Sequence, residues 1–265
     1  MFIEREQKGE RALLCIIHDR DRSSSEAQEF ESLARASGAD LVGAWEGVVQ
    51  QPRAHSYVGK GQLEQIAAAV REHEADLLLV NQDLSPAQER NVERELKCRV
   101  LGRTGLILDL FAARARTAEG KLQVELAQLR HLSTRLVRGW SHLDRQKGGI
   151  GLRGAGETQL ELDQRLIAVR IKRLVRDLAE VQARRGRNRV ARRRAGLPVV
   201  ALVGYTNAGK STLFNRLTGA DVFAADQLFA TLDPTLRRVD LPGVGTAVLA
   251  DTVGFVSRLP HRLVQ

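Results

Sequence analysis

Residues 204–211 contain the spacing best suited to chemistry, reading Gly-Tyr-Thr-Asn-Ala-Gly-Lys-Ser. They fit the phosphate-binding loop pattern G-x-x-x-x-G-K-[ST]. Gly204 and Gly209 allow a tight turn whose backbone N–H groups point at one anion, and the dipole of a following helix favours the same charge. In such a loop Lys210 bridges the β- and γ-phosphates, and the Ser211 hydroxyl binds Mg²⁺. The loop therefore predicts a nucleoside triphosphate site with Mg²⁺.

A second motif follows, where the apolar residues 248–250 end in Asp251-x-x-Gly254. This arrangement places an aspartate near Mg²⁺ and a glycine N–H near the γ-phosphate. Between the motifs, residues 226–235 form a polar and prolyl stretch where a γ-phosphate-sensing loop would lie. Thr231 is our first choice for its metal-binding hydroxyl and Thr235 the second; the alternative is that both threonines only form turns around Pro234.

These patterns assign roles to particular residues. The predicted catalytic residues are Lys210, Thr231 and Gly254, and the predicted Mg²⁺ ligands are Ser211, Thr231 and Asp251. The predicted nucleotide contacts are Gly204, Tyr205, Thr206, Asn207, Ala208, Gly209, Lys210, Ser211, Thr212, Phe229, Ala230, Thr231, Asp251, Thr252, Val253 and Gly254.

The elements that must position this site follow from the flanking sequence. An apolar run at 197–203 predicts a strand, and an amphipathic helix begins at Thr212, which is the context that the loop needs. Earlier in the chain, apolar runs at 12–17, 41–49, 75–80 and 98–101 alternate with helical patterns, one with Ser85 as N-cap. We therefore expect an α/β protein that opens with a small parallel sheet.

The middle of the chain changes its period. Leucines recur three or four residues apart at 122, 126, 129, 132 and 136, and apolar residues recur every seven at 160, 167, 174 and 181. This pattern predicts two long helices paired as an antiparallel coiled hairpin, the second on the order of 55 Å long. The predicted domains are an N-terminal α/β domain at 1–107, the hairpin at 108–196, and the first part of a P-loop NTPase domain at 197–265.

Charge is concentrated in the hairpin. Residues 108–196 carry 21 Lys and Arg against 9 Asp and Glu, a net charge of +12, whereas the whole chain has +9. The predicted tip, residues 139–156, holds six glycines and is alternatively a plain surface linker. Seven arginines fall within 184–194, more than a solvated helix end needs. Such a concentration of charge attracts a polyanion, either nucleic acid or an anionic membrane. On the nucleic-acid hypothesis the RNA contacts are Arg145, Lys147, Arg153, Arg184, Arg185, Arg187, Arg189, Arg192, Arg193 and Arg194.

Composition excludes other classes. With 43% hydrophobic residues the chain is globular, and it has neither an apolar run of about 18 residues nor an apolar N-terminal leader pattern. We expect a cytoplasmic monomer without a membrane span. Cys15 and Cys98 make no metal or disulfide framework, so they are predicted free thiols.

Four segments together resemble the HflX family of ribosome-associated bacterial GTPases. They are the phosphate loop continued to Thr212, FATLDPT at 229–235, DTVGF at 251–255 and, most specifically, GGIGLRGAGETQLE at 148–161. The resemblance covers essentially the whole chain, and Ala155 departs from the proline expected there. It implies GTP and GDP as ligands, Mg²⁺ as cofactor, the 50S ribosomal subunit as partner, and splitting of stalled ribosomes under stress.

Two mechanistic expectations accompany the resemblance. Phe255 lies where some small GTPases have a water-orienting glutamine, so intrinsic hydrolysis should be slow and stimulated by the ribosome. Asn207 matches the asparagine that resembles a K⁺ ligand in cation-activated GTPases. No Asn-Lys-x-Asp occurs before Gln265, so guanine selection rests on the resemblance, and we expect the nucleotide domain to be incomplete and inactive alone. An ATP-driven RNA-remodelling protein and an RNA-binding module without turnover remain alternatives.

Overall fold

The computed structural model describes residues 10–18, 24–139, 159–194, 196–221, 228–241, 243 and 245–258. The chain divides into two compact units. The first comprises residues 1–109 and 130–167, and the second comprises residues 110–129 and 168–265. No helix among the described residues is both long and apolar enough to cross a bilayer.

The first unit contains a four-stranded, fully parallel sheet with the order β2-β1-β3-β4. Its strands are β1 Arg11–His18, β2 Asp40–Val48, β3 Leu77–Val80 and β4 Arg99–Gly102. Helices α1 Ser24–Ala36, α2 Lys60–Glu72 and α3 Pro86–Leu96 connect them. Each observed strand lies within two residues of the predicted bounds. The central strands β1 and β3 are buried almost throughout because connecting helices cover both faces of such a sheet.

Helix α3 illustrates how local sequence sets an element's start. Ser85 accepts a hydrogen bond from the Gln88 backbone N–H at 3.3 Å, and the Gln88 side chain accepts one from the Ser85 N–H at 2.8 Å. This is a complete capping box, with Pro86 at the first helical position. The predicted start of this helix is confirmed.

Helix α4, Arg103–Arg114, leads into two long helices, α5 Ala118–Gly139 and α6 Gln159–Arg194. Within the second unit, α5 and α6 pack through Leu126, Leu174 and Leu178, supported by Leu122, Leu129 and Ile171. Ion pairs join Glu125 to Arg170 and Glu119 to Arg185, so residue numbers rise along one helix as they fall along the other. The pairing is antiparallel, as predicted. Leu132, the next residue of the predicted seam, is 39% exposed, and the described seam ends at Leu129.

The second unit also contains a three-stranded sheet with the order β5-β7-β6. Its strands are β5 Val199–Leu202, β6 Thr235–Leu241 and β7 Gly245–Asp251, and helix α7 spans Lys210–Thr218. β5 pairs with β7 in parallel, whereas β6 pairs with β7 antiparallel from Thr235 opposite Asp251 to Leu241 opposite Gly245. The sequence pattern did not reveal β6, because most of its residues are exposed and apolar and polar residues do not alternate regularly along it.

Candidate nucleotide-binding site

The loop between β5 and α7 has the conformation that an anion site requires. Gly209 is the N-cap of α7 with φ of 79°, and Asn207 also has a left-handed φ, 59°. Gly209 offers no side-chain cap, so the first N–H groups of α7 stay available to a ligand. The Lys210 ammonium donates to the Tyr205 carbonyl at 2.7 Å, which holds the charge over the loop. Desolvation lowers the pKa of Lys210, and the charge of Asp251 opposes this.

The segment after β7 packs tightly on this loop. Thr206 N–H donates to the Phe255 carbonyl, and Phe255 N–H donates to the Gly204 carbonyl, each at 2.9 Å. A Cβ on Gly254 would lie 2.5 Å from Thr206 Cα and 2.7 Å from Thr206 N. Because those atoms are backbone and cannot move aside, only glycine fits at 254. The two motifs found in the sequence therefore form one site.

Three side-chain oxygens meet beside the loop. Ser211 Oγ lies 2.7 Å from Thr231 Oγ1 and donates to Asp251 Oδ2 at 2.7 Å, and Thr231 Oγ1 donates to the same carboxylate oxygen at 3.2 Å. Asp251 is fully buried, and its other oxygen, Oδ1, has no hydrogen-bond partner among the described residues. A buried carboxylate oxygen without a partner is costly in a protein interior. Two hydroxyls and a carboxylate are the hard oxygen ligands that Mg²⁺ prefers, so this cluster fits the ion.

Most of the predicted nucleotide contacts surround one cleft. It is lined by Thr206, Asn207, Ala208, Gly209, Lys210, Ser211, Thr212, Phe229, Ala230, Thr231, Thr252 and Gly254. Four predicted residues are not among those lining it. Gly204 and Tyr205 shape the loop through their backbones, Asp251 accepts from the Ser211 and Thr231 hydroxyls, and Val253 is not part of the lining. Thr252 donates to the Leu202 carbonyl at 2.6 Å, which ties the end of β7 to β5. Thr235 begins β6 opposite Asp251 and is not among the residues lining the cleft.

Asp233 and Phe111 both help to hold the segment around Thr231, and neither was among the predicted site residues. Asp233 accepts hydrogen bonds from Arg116 and Thr117 at the start of α5. Phe111 of α4 packs edge-on against Phe229, with ring centroids 4.7 Å apart. Each of these contacts joins residues more than 110 positions apart in sequence, so only the Asp-Pro turn itself was visible in the pattern.

The predicted RNA contacts lie elsewhere in the chain. Arg184, Arg187, Arg189 and Arg194 are exposed on α6. Arg185 is also exposed, but its guanidinium pairs with Glu119 at 2.6 Å. Arg192 and Arg193 lie within α6, with side chains outside the described set. Arg145, Lys147 and Arg153 lie outside the described residues, as does nearly all of the predicted tip at 139–156.

Comparison with known proteins decides the family. Models described as "GTP-binding GTPase N-terminal", "GTP-binding GTPase Middle Region" and "50S ribosome-binding GTPase" match residues 24–112, 114–192 and 199–264. The GTPase HflX of Escherichia coli K12 is 58% identical over 264 residues, 99% of this chain and 62% of that protein. The chain belongs to the HflX GTPase family.

Other relatives agree with this assignment. GTPase HflX of Magnetococcus marinus is 49% identical over 268 residues, and that of Chlamydia pneumoniae is 45% identical over 241 residues, covering 62% and 51% of those proteins. This chain thus spans between half and two thirds of the length of these HflX relatives. Among solved structures, the SsGBP and GDP complex aligns with a TM-score of 0.57 at 25% identity, covering 96% of this chain and 65% of that one.

Proposed function

We propose that the whole protein binds and hydrolyses GTP with Mg²⁺, and that the 50S ribosomal subunit stimulates this hydrolysis during the rescue of stalled ribosomes. The observation that carries the first part is the cluster of Ser211, Thr231 and Asp251 beside the phosphate loop. Its geometry supports a metal held between two hydroxyls and a buried carboxylate. Family membership supports guanine as the base and the ribosome as the partner.

Each part of the site has a role in this proposal. The N–H groups at the start of α7 and the Lys210 ammonium bind the β- and γ-phosphates. In this proposal the Gly254 N–H donates to the γ-phosphate and the Thr231 hydroxyl binds the metal, since both residues line the cleft. When bound, Mg²⁺ would neutralise charge on the phosphate oxygens, held by Ser211, Thr231 and Asp251.

The position after Gly254 explains why turnover by the protein alone should be slow. Phe255 is 54% exposed and hydrocarbon, so it can neither accept a proton from an attacking water nor orient one. We propose that a group ordered by the ribosome supplies that function. Asn207, in its left-handed conformation at the loop, is the proposed K⁺ contact, so hydrolysis should be faster in K⁺ than in Na⁺.

The basic helix supports the ribosomal partner. Arg184, Arg187, Arg189 and Arg194 project from the last third of α6 without burial, and arginine clusters bind RNA phosphates. We propose that residues 108–196 form the ribosome-directed hairpin, between an N-terminal domain at 1–107 and a nucleotide domain from 197 onward. We further propose that the protein is a cytoplasmic monomer that associates with ribosomes.

Equilibrium binding to the whole protein tests the nucleotide assignment. A fluorescent GTP analogue should bind in Mg²⁺ and more weakly in EDTA, and unlabelled GTP and GDP should displace it whereas ATP should not. Displacement by ATP at the same concentration as GTP would favour the RNA-remodelling alternative. Binding that is identical in Mg²⁺ and EDTA would contradict the assignment of the oxygen cluster.

A further inference from the structure

The start of helix α5 is capped by a residue from the nucleotide domain. Thr117 is its local N-cap, accepting from the Gly120 N–H at 3.0 Å through Oγ1. The Asp233 carboxylate then accepts from the Arg116 and Thr117 N–H groups, each at 2.8 Å, and from the Thr117 hydroxyl at 2.5 Å. A carboxylate at a helix N-terminus satisfies N–H groups that have no partner within the helix and complements its dipole.

The contact is built into the sequence of α5. A Cβ on Gly120 would lie 2.3 Å from Asp233 Oδ1 and 3.2 Å from Thr117 Oγ1. The φ angle of Gly120 is not in the left-handed region. The backbone conformation therefore does not require glycine at this position. The close approach of the Asp233 carboxylate favours glycine instead, because an added Cβ would push the carboxylate away. Glycine is kept here although it is a poor residue for a helix.

A second anchor holds the other end of the same segment. Phe229 is 2% exposed and packs edge-on against Phe111 of α4, itself 4% exposed. Phe229 has φ of 55°, a strained conformation for a bulky residue, which persists only where packing over-determines it. Thr231 lies midway between Phe229 and Asp233. Its hydroxyl is therefore fixed at the oxygen cluster by two contacts to the α4–α5 junction.

Charge around the cap is balanced by α6. Glu119 lies in the first turn of α5, and Arg185 pairs with it at 2.6 Å. Partial burial raises the pKa of Asp233, but the hydrogen bonds from Thr117 and Arg116 and the charge of Arg185 outweigh it, so the pKa lies below its usual value. The carboxylate is thus a charged acceptor at neutral pH.

We propose that Asp233 is a positioning residue that couples the triphosphate site to the hairpin: by capping α5 it holds Thr231 at the Mg²⁺ position. This rests on the proposed function, because it assigns a regulator to the same site. Coupling is reciprocal, so a triphosphate that fixes Thr231 also strengthens the cap of α5, and a partner that moves α5 loosens Thr231. A diphosphate does not engage Thr231 through a γ-phosphate and should leave the cap unaffected.

Two variants break the contact from opposite sides. Asp233→Ala removes the carboxylate, whereas Gly120→Ala keeps it and pushes it away while improving helix propensity. Asp240→Ala is a matched control, since Asp240 is exposed and accepts a single hydroxyl hydrogen bond from Thr246 at 2.6 Å. Gly186→Ala is the control for Gly120→Ala, because Gly186 lies in α6 with nothing within 4 Å of an added Cβ.

The measurement is the Mg²⁺ concentration for half-maximal binding of a fluorescent GTP analogue to the whole protein. Asp233→Ala and Gly120→Ala should each raise this Mg²⁺ concentration about tenfold, while the affinity for GDP stays within about twofold of wild type. Both control variants should behave as wild type. Together the two substitutions should do little more than either alone, because both disrupt the same interaction. If Asp233→Ala does not fold, Gly120→Ala carries the same test.

Hydrogen exchange provides the reciprocal readout. GTP with Mg²⁺ should slow exchange of the Arg116 and Thr117 N–H groups in wild type and in Gly186→Ala, but not in Asp233→Ala. If the wild-type protein binds GTP in a Mg²⁺-dependent way and both Asp233→Ala and Gly120→Ala bind it equally well, the role of Asp233 is overturned but the proposed function is not. Wild-type protein without any Mg²⁺-dependent GTP binding would overturn the proposed function, and this inference with it.

Discussion

The hydroxyl oxygens of Ser211 and Thr231 lie 2.7 Å apart, and both contact the same oxygen of the buried Asp251. Three separate segments thus converge on one point: the first turn of α7, the loop before β6, and the end of β7. Asp251 Oδ1 is buried and has no hydrogen-bond partner among the described residues, so one acceptor of this carboxylate is left for a ligand.

Asp251→Asn should abolish Mg²⁺-dependent GTP binding without lowering the stability of the nucleotide-free protein. The substitution removes a fully buried charge, which is costly to bury, so the nucleotide-free protein should be as stable as wild type or more stable. The Mg²⁺ dependence of GTP binding should be lost. Thermal unfolding without nucleotide and a Mg²⁺ titration check the two effects. A lower melting temperature together with normal Mg²⁺ dependence would show that Asp251 has only a structural role.

Lys210→Ala should weaken GTP and GDP binding roughly 10- to 100-fold, the effect of removing a hydrogen bond between charged groups. The fold should survive, because the Lys210 ammonium contacts only the Tyr205 carbonyl among the described hydrogen bonds. Lys172→Ala, which removes an exposed lysine of α6, is the matched control and should bind as wild type. Equal affinity of both variants would argue against the phosphate loop as the nucleotide site.

Gly254→Ala should abolish hydrolysis and also destabilise the chain. The added methyl group meets the backbone of Thr206, so either the phosphate loop or the segment after β7 must move. Gly61→Ala is the control, because nothing lies within 4 Å of its Cβ in α2, and it should stabilise by up to about 1 kcal/mol. Hydrolysis assays and urea unfolding of both variants test this. Wild-type activity in Gly254→Ala would contradict the packing described.

The arginines of α6 should contribute by neutralising RNA phosphates. Replacing Arg187 and Arg189 with glutamate should weaken binding to the large ribosomal subunit and reduce its salt dependence by about one unit of slope for each phosphate that is no longer neutralised. Arg237 and Arg238, exposed on β6, permit a control with the same change of charge. Sedimentation with subunits at several salt concentrations measures both. The assignment fails if the two double variants behave alike.

Alkaline pH should weaken the first unit. Burial raises the pKa of Cys15 to about 12 and of Cys98 to about 11. A thiol whose pKa is higher in the folded than in the unfolded state stabilises the fold below the unfolded value, near 8.5, and this contribution is lost as pH rises toward the folded value. Urea unfolding between pH 7.5 and 10.5 should show the decline, and Cys15→Ala should flatten it. If the free energy of unfolding falls equally steeply with pH in Cys15→Ala, the loss of stability comes from other groups.

The sequence allowed the phosphate loop and Asp251 to be placed because each motif has fixed internal spacing and follows an apolar strand. The four strands of the first unit were equally visible, since buried parallel strands are short apolar runs. By contrast β6 has an exposed face and lacks such a run. The pairing of Asp233 with the start of α5 depends on folding across more than 100 residues, and no local pattern encodes it.

Arg185 illustrates the same limit within a predicted site. Its place in a run of seven arginines predicted a phosphate contact, whereas the structure pairs it with Glu119 in the first turn of α5. Glu119 and Arg185 are far apart in sequence, and only the antiparallel pairing of α5 with α6 brings them together. Charge counting along the chain could not distinguish Arg185 from Arg184 or Arg187.

Stimulation by the ribosome can be measured as GTP hydrolysis by the whole protein, with and without 50S subunits and in Mg²⁺ and K⁺. We expect slow turnover by the protein alone, because Phe255 cannot orient a water, and strong acceleration by the subunits. Asp233→Ala should reduce the accelerated rate, and exchanging K⁺ for Na⁺ should slow it. Rapid turnover without subunits, or a rate that subunits leave unchanged, would contradict this expectation.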